Sequence, residues 1–282
     1  MKIASYRDGN RSTYGVVVDG GVVDAGRRLA GRYPTLRAVL AAGALEEVAK
    51  ASRGQPPDRR LEEIAFLPVI PDPEKIICIG IDYAAHAREG GRELPTHPPV
   101  FARFANSQVG HLQPMIEPRV SDRLDFEGEL AAVIGKGGRH IRAERALAHV
   151  AGYACYNEGS VRDWQRHSIQ WTAGKNFPGT GGFGPWMVTA EEIPDPSKLT
   201  LVTRLNGVEM QRSGTDDLIF GVPALIAYCS TFTVLEPGDV IVTGTPSVVG
   251  LFRDPPVFMK PGDVVEVEIS GIGVLRNPVV AE

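Results

Sequence analysis

The sequence predicts a mainly β protein of the α+β class. The run Leu124-Asp125-Phe126-Glu127-Gly128-Glu129-Leu130-Ala131-Ala132-Val133-Ile134-Gly135 ends apolar and closes on glycine, as a strand entering a packed sheet does. Leu199–Leu205 and Val208–Met210 flank Asn206-Gly207, the strongest short-range signal for a two-residue hairpin. Residues 261–269 alternate apolar with polar side chains, the pattern of a half-exposed strand. Helix signals are few and short by comparison.

In chain order, residues 1–35 read as short strands joined by turns, with Tyr14–Val18, Asp19-Gly20-Gly21 and Val22-Val23 forming a hairpin. Residues 36–52 hold good helix formers, weakened by Gly43. Polar, proline-containing connectors at 54–60 and 66–73 place an expected boundary near residue 70. That gives a small N-terminal α+β domain over 1–70 and a main domain over 71–282. The first shows no catalytic arrangement.

The main domain opens on a short buried strand, Lys75–Gly80. A short helix over 83–89 sets His86 and Glu89 one turn apart on the same side, the geometry of a base and its orienting carboxylate. A surface histidine beside a glutamate by chance fits the same residues. Gly90-Gly91 and the polar run to Pro99 read as the hinge of a lid. Residues 142–150 read as a short helix and 151–156 as a buried strand ending in Asn157-Glu158 and Arg162-Asp163-Trp164-Gln165. Polar side chains at the end of an apolar strand leave the core and reach a cleft. There Glu158 would be an oxygen ligand, and Arg162 and Gln165 contacts for an acidic substrate; the plainer reading is that Arg162 and Asp163 open a helix. Residues 171–186 read as a Gly/Pro-rich loop around Lys175, either solvated or aimed inward. Inside, burial would ease its proton loss, or its charge would meet an enolate. The spacing is not that of a nucleotide-binding P-loop. Residues 223–232 are helical with proline in the first turn. Residues 236–247 read as turn, buried strand and turn, with Thr243 and Thr245 as donors to a carboxylate. Residues 271–278 end the sheet.

On a continuous strand, Asp125, Glu127 and Glu129 share one face, with Phe126 and Leu130 on the other. Carboxylates so placed repel each other, and near a core they need positive charge between them. Mg²⁺ meets that need with one or two carboxylates while leaving positions for substrate oxygens. A wet edge strand is the alternative. Glu266 and Glu268 repeat the spacing on a half-exposed strand, so the spacing alone decides nothing.

The totals exclude several classes. The formal charge of −4 and pI near 5.9 give no general attraction to nucleic acid or an anionic membrane. No apolar run has the length of a membrane span. The charged start lacks a signal core, and the three cysteines lie far apart in apolar segments, so reduced thiols and a cytoplasmic location are expected.

These blocks together resemble the fumarylacetoacetate hydrolase family, in particular its short bacterial and mitochondrial members acting on acylpyruvates, oxaloacetate or hydroxymuconate-type acids. The resemblance covers roughly residues 70–280 and rests on their order: 75–83 with His86 and Glu89, Asp125-Phe-Glu-Gly-Glu-Leu130, Asn157-Glu158 with Arg162-Asp163, Gly174-Lys175, Gly184-Pro185-Trp186, Asn206-Gly207, Glu236-Pro-Gly-Asp239, Gly244-Thr-Pro246 and 273–278. It implies a mixed sheet rolled into a flattened barrel, a homodimer, and hydrolytic C–C cleavage of a small 2-oxo or 1,3-diketo acid. Decarboxylation or isomerisation is the implied alternative, and a metal-poor binding homologue the non-enzymatic one. It also implies Mg²⁺ or Mn²⁺ on Glu127, Glu129 and Glu158, a catalytic set of His86, Glu89 and Lys175, and substrate or metal-oxygen contacts from Arg162, Gln165 and Thr245. Three positions depart from the family pattern. Glu158 replaces the usual aspartate. Phe101-Ala-Arg103-Phe-Ala-Asn-Ser107 replaces a Phe-x-Lys block, which changes the substrate contacts expected of Arg103 and Ser107. Val248 stands at a usual glycine, and a β-branched residue disfavours positive φ, so that turn and any carboxylate it holds are expected to be rearranged.

Overall fold

The structure, a computed structural model, describes every residue except 30 and 92. Its floor is the strand Gly128–Ile134, buried along its whole length. Alternate side chains enter different cores. Leu130, Ala132 and Ile134 face one with Leu201, Val267 and Leu275 of a second sheet, and Leu225 and Cys229 of the helix Val222–Phe232. Ala131 and Val133 face another, closed by Val39, Leu40 and Val48 of the N-terminal helices. A strand buried on both faces reads as an unbroken apolar run, which is why 130–134 has no polar side chain.

The large sheet has twelve strands among the described residues. Its central order runs Lys2–Asp8, Gly181–Thr189, Val150–Glu158, Gly128–Ile134, Val240–Val242, Ile76–Ile79, with Val100–Arg103 at the edge. Most neighbours are antiparallel, but Val240–Val242 runs parallel to Ile76–Ile79. The second sheet has five strands, with Val264–Ile269 between Thr200–Leu205 and Gly273–Ala281. The two sheets pack face to face as a flattened roll, so the expected mainly β, α+β fold is the one adopted. Lys2–Asp8 pairs with Gly181–Thr189, so residues on both sides of the expected division near 70 share one sheet. No helix among the described residues is long and apolar enough to cross a membrane.

Four local expectations are corrected. The helix expected over 36–52 is two, Leu36–Ala41 and Leu45–Ser52, separated where Gly43 takes φ +63°. The segment 143–149 is a 3₁₀ helix. The glycine-rich stretch after Lys175 is a central strand, Gly181–Thr189; a Cβ on Gly182 would stand 2.7 Å from Asn277 Oδ1 of the second sheet, so glycine here serves close packing rather than a turn. Finally, the carboxylate run is no single strand. Leu124–Asp125 pairs with Ser160–Val161, and the ladder with Val150–Glu158 begins only at Gly128.

Candidate active site

The interruption at Phe126–Glu127 builds the site. Asn157 Oδ1 accepts the Glu127 N–H at 3.0 Å, and the Glu127 carbonyl accepts the Glu158 N–H at 2.8 Å. These bonds hold the two ends of adjacent strands together and turn Glu127 and Glu158 toward Glu129. Glu127, Glu129 and Glu158 are all buried, each with a carboxylate oxygen within 4.8 Å of the others. Asp125 does not join them. Its carboxylate accepts the N–H groups of Gly250 at 2.8 Å and Leu251 at 2.9 Å and pairs with Arg162 at 2.7 Å. The same-face expectation failed for Asp125 because the chain leaves strand geometry one residue after it.

Two buried cations balance the acids. Arg162 Nη2 lies 2.8 Å from Glu127 Oε1, and Arg162 Nη1 donates to Gln165 Oε1 at 3.0 Å. Lys175, at the end of the short helix Thr172–Lys175, donates to Glu127 Oε2 at 2.5 Å and Glu158 Oε2 at 2.6 Å. Burial pushes the Glu127 carboxyl up, but Arg162 and Lys175 outweigh it and hold it well below the usual carboxylate range. Burial, reinforced by Glu158 and Glu127, pushes Glu129 well above that range. For Lys175 burial lowers the pKa, yet Glu127 and Glu158 reverse the direction, so the amine keeps its charge. Of the inward roles expected for Lys175, the cationic one fits this setting.

His86 and Glu89 lie on the helix Ala84–Glu89, with His86 Nδ1 3.3 Å from Glu89 Oε2. Glu89 is held from the other side by the Val248 N–H. Val248 takes φ +70°, so the turn keeps the left-handed shape expected to be lost, and grips a carboxylate with it. His86, the three glutamates, Lys175 and Arg162 line one cavity. Gln165 and Thr245 also line it, while Trp171, Leu251 and Phe252 supply apolar wall. Thr245 Oγ1 donates to the Gly128 carbonyl at 3.0 Å, fixing the strand from which Glu129 projects. Arg103 and Ser107 are not brought to the cavity. Arg103 is buried behind it, donating to the Gly159 carbonyl at 3.0 Å and Thr180 Oγ1 at 2.8 Å, and Ser107 Oγ donates to the Phe104 carbonyl. Their expected substrate contacts are corrected to support of the backbone after Glu158.

Sequence reasoning missed three supports. Gln211 accepts the Gly128 N–H and donates to Thr245 Oγ1, both at 3.0 Å, from the far arm of the Asn206-Gly207 hairpin. Ser160 Oγ donates to Glu127 Oε2 at 2.7 Å. Asp125 was misread as a third acid of one face. For Gln211 no sequence signal exists, since its role depends on the contact between sheets.

The carboxylates fit a hard divalent cation. Among the described residues Glu158 Oε1 is buried without a hydrogen-bond partner, an arrangement that costs free energy unless something positive meets it. Four buried acids, Asp125, Glu127, Glu129 and Glu158, face two buried cations, Arg162 and Lys175. An all-oxygen set suits Mg²⁺ or Mn²⁺ rather than a softer metal.

Residues 75–280 match the family description "Fumarylacetoacetate (FAA) hydrolase C-terminal". A bovine protein named "Oxaloacetate tautomerase FAHD2A, mitochondrial" is 43% identical over 238 residues, covering 84% of this chain and 76% of its own. The crystal structure of maleylpyruvate hydrolase from Sphingobium sp. SYK-6, in complex with manganese (II) ion and pyruvate, superposes with a TM-score of 0.83 at 27% identity, covering 100% of this chain and 99% of that one. A 5-carboxymethyl-2-hydroxymuconate delta-isomerase from Mycobacterium smegmatis gives 0.78 at 31% identity, with 100% and 99% coverage.

Proposed function

The chain belongs to the fumarylacetoacetate hydrolase family, and from that premise we propose that it is a metal-dependent enzyme interconverting the keto and enol forms of a small 2-oxo acid. The observation carrying this reading is the shared cavity: a buried triad of glutamates, a charged lysine and, from a separate helix, His86 backed by Glu89. The 43% identity to an oxaloacetate tautomerase favours proton transfer over bond cleavage.

Glu127, Glu129 and Glu158 would hold Mg²⁺ or Mn²⁺. Bound there, the ion supplies a chelation point for the substrate's carboxylate and 2-oxo oxygens and polarises the keto group. The protein's own residues do the rest. Ionised Glu89 faces His86 Nδ1 and favours the proton on that nitrogen, leaving Nε2 as the base. Nε2 takes a proton from the carbon beside the keto group and returns it to the keto oxygen, so no proton is gained or lost overall. The Lys175 ammonium places positive charge near the enolate oxygen while that charge develops. Gln165 orients the acid, and the Ala84–Glu89 helix with Phe252 and Trp171 excludes water.

Hydrolytic C–C cleavage is the second reading, favoured by the likeness to a maleylpyruvate hydrolase with manganese and pyruvate. The same His86 nitrogen would then take its proton from water attacking the distal carbonyl. The ultraviolet absorbance of enol-oxaloacetate separates the two. Tautomerisation predicts metal-dependent acceleration of its decay to the keto form, lost on chelation. Release of pyruvate and a free acid from an acylpyruvate, without that acceleration, overturns it in favour of hydrolysis.

A further inference from the structure

Among the described residues, three arginine or lysine side chains line the cavity: Arg162, Lys175 and Arg166. The first two are already paired with buried acids. Arg162 is held by Asp125, Glu127 and Gln165, and Lys175 by Glu127 and Glu158. Arg166 differs. It is exposed at the mouth, and its side chain has no hydrogen bond or ion pair among the described residues. It follows the short helix Arg162–Gln165, where its N–H caps the turn by donating to the Asp163 carbonyl at 3.0 Å. It stands four positions after Arg162, a spacing that sets Cβ atoms about 5–6 Å apart on a helical turn, and both side chains line the cavity. Leu251 and Phe252, which also line the cavity, have apolar side chains and offer an anion nothing.

We infer that Arg166 is a specificity-determining residue that binds the second carboxylate of a short 2-oxo dicarboxylic acid. This rests on the proposed 2-oxo acid chemistry and narrows its substrate class. A substrate anchored at the glutamate triad by its first carboxylate and keto oxygen extends toward the mouth. A carboxylate at its far end meets the one arginine or lysine side chain that, among the described residues, lines this cavity without an acceptor. A guanidinium matches a carboxylate with two parallel N–H···O bonds, whereas a monocarboxylic acid leaves Arg166 in water. The contact is the same before and during proton transfer, so it acts on binding rather than on the chemical step.

The test is equilibrium binding of oxaloacetate and of pyruvate to the Mg²⁺-loaded protein, wild type against R166A and R166K. Wild type is expected to bind oxaloacetate at least tenfold more tightly than pyruvate. R166A is expected to bring the two affinities within about threefold of each other by weakening oxaloacetate alone, and R166K to restore part of the gap. In turnover, the R166A loss should fall on KM for oxaloacetate rather than on kcat. Absence of a wild-type preference, its persistence in R166A, or equal weakening of both acids overturns the assignment. If the preference behaves as expected but wild type leaves enol-oxaloacetate decay unaccelerated, the tautomerase reading fails while the role of Arg166 stands.

Discussion

Val248 donates its backbone N–H to both carboxylate oxygens of Glu89, at 2.9 Å each, from a backbone held at φ +70°. A β-branched residue in the left-handed region carries strain of about 1–2 kcal/mol. The turn keeps that conformation while its N–H orients the carboxylate behind His86. Replacing Val248 with glycine removes the steric penalty and leaves the N–H in place. V248G should raise the unfolding free energy by about 0.5–1 kcal/mol after glycine's larger entropy cost in the unfolded chain. Urea titration measures it, and a destabilised variant would show the turn to be unstrained.

His86 sits apart from the glutamate triad on its own helix, so base and metal functions should separate. His86→Ala should lower kcat by about 10²–10⁴-fold, the usual range for general acid–base catalysis, with Mg²⁺ affinity unchanged. Glu89→Gln should give a smaller loss, since the ring remains but loses its ionised partner. Calorimetric Mg²⁺ titration beside turnover decides it. A parallel fall in both quantities would remove His86 from the base role.

Glu127 is both a proposed ligand and the partner of Lys175 and Arg162. Glu127→Gln should abolish metal-dependent turnover and weaken divalent-ion binding by tenfold or more, the fold containing the protein's other acids being kept. Chelation of the wild type should do the same reversibly, with recovery on adding Mg²⁺ or Mn²⁺. Full activity in Glu127→Gln would exclude this ligand set.

Asp125 holds two backbone N–H groups and the Arg162 guanidinium in a fully buried position. Asp125→Ala strands a buried arginine with only part of its charge matched, a change that costs about 3–5 kcal/mol. The urea midpoint should fall accordingly, and residual activity should fall with it because Arg162 also braces Glu127. A midpoint unchanged from wild type would mean that Arg162 is solvated.

Asp82 supplies a pH dependence. Burial raises its pKa from 3.8 to about 7, despite the Phe220 N–H that its carboxylate accepts at 2.7 Å. The folded state therefore binds a proton more tightly than the unfolded chain. Stability should be highest below about pH 4 on this account and fall as pH rises toward 7, by on the order of 3–4 kcal/mol from this group alone. Asp82→Asn should remove that slope, giving a variant favoured over wild type more at pH 8 than at pH 5. Urea titration at the two values checks the sign.

Elements specified by local chemistry were legible in the sequence. The Asn206-Gly207 turn joins Thr200–Leu205 to Val208–Gly214, and Pro223 sits in the first turn of the Val222–Phe232 helix. The apolar run after Glu129 is a buried strand because both of its faces meet cores. The site was legible as residue types in order, and Glu127, Glu129, Glu158, Lys175 and His86 do share a cavity. What depended on distant contacts was not. Gly181–Gly184 resembles a loop until the second sheet presses against it. Asp125 follows the strand pattern on paper, yet Asn157 breaks that pattern at the next step by taking the Glu127 N–H. Arg103 carries charge that a sequence reader assigns to substrate, but its donors are consumed by Gly159 and Thr180.

The strand Gly128–Ile134, with a different core on each side, limits how such a protein can change. Adding or deleting one residue there would exchange the side chains delivered to each core and swing Glu129 away from the cavity. The floor of the site is thus held at fixed length, like a gear that cannot skip a tooth. The Ala84–Glu89 helix and the mouth around Arg166 carry no such constraint. New reactions in chains of this design should therefore arise from altered roofs and rims laid over an inherited floor.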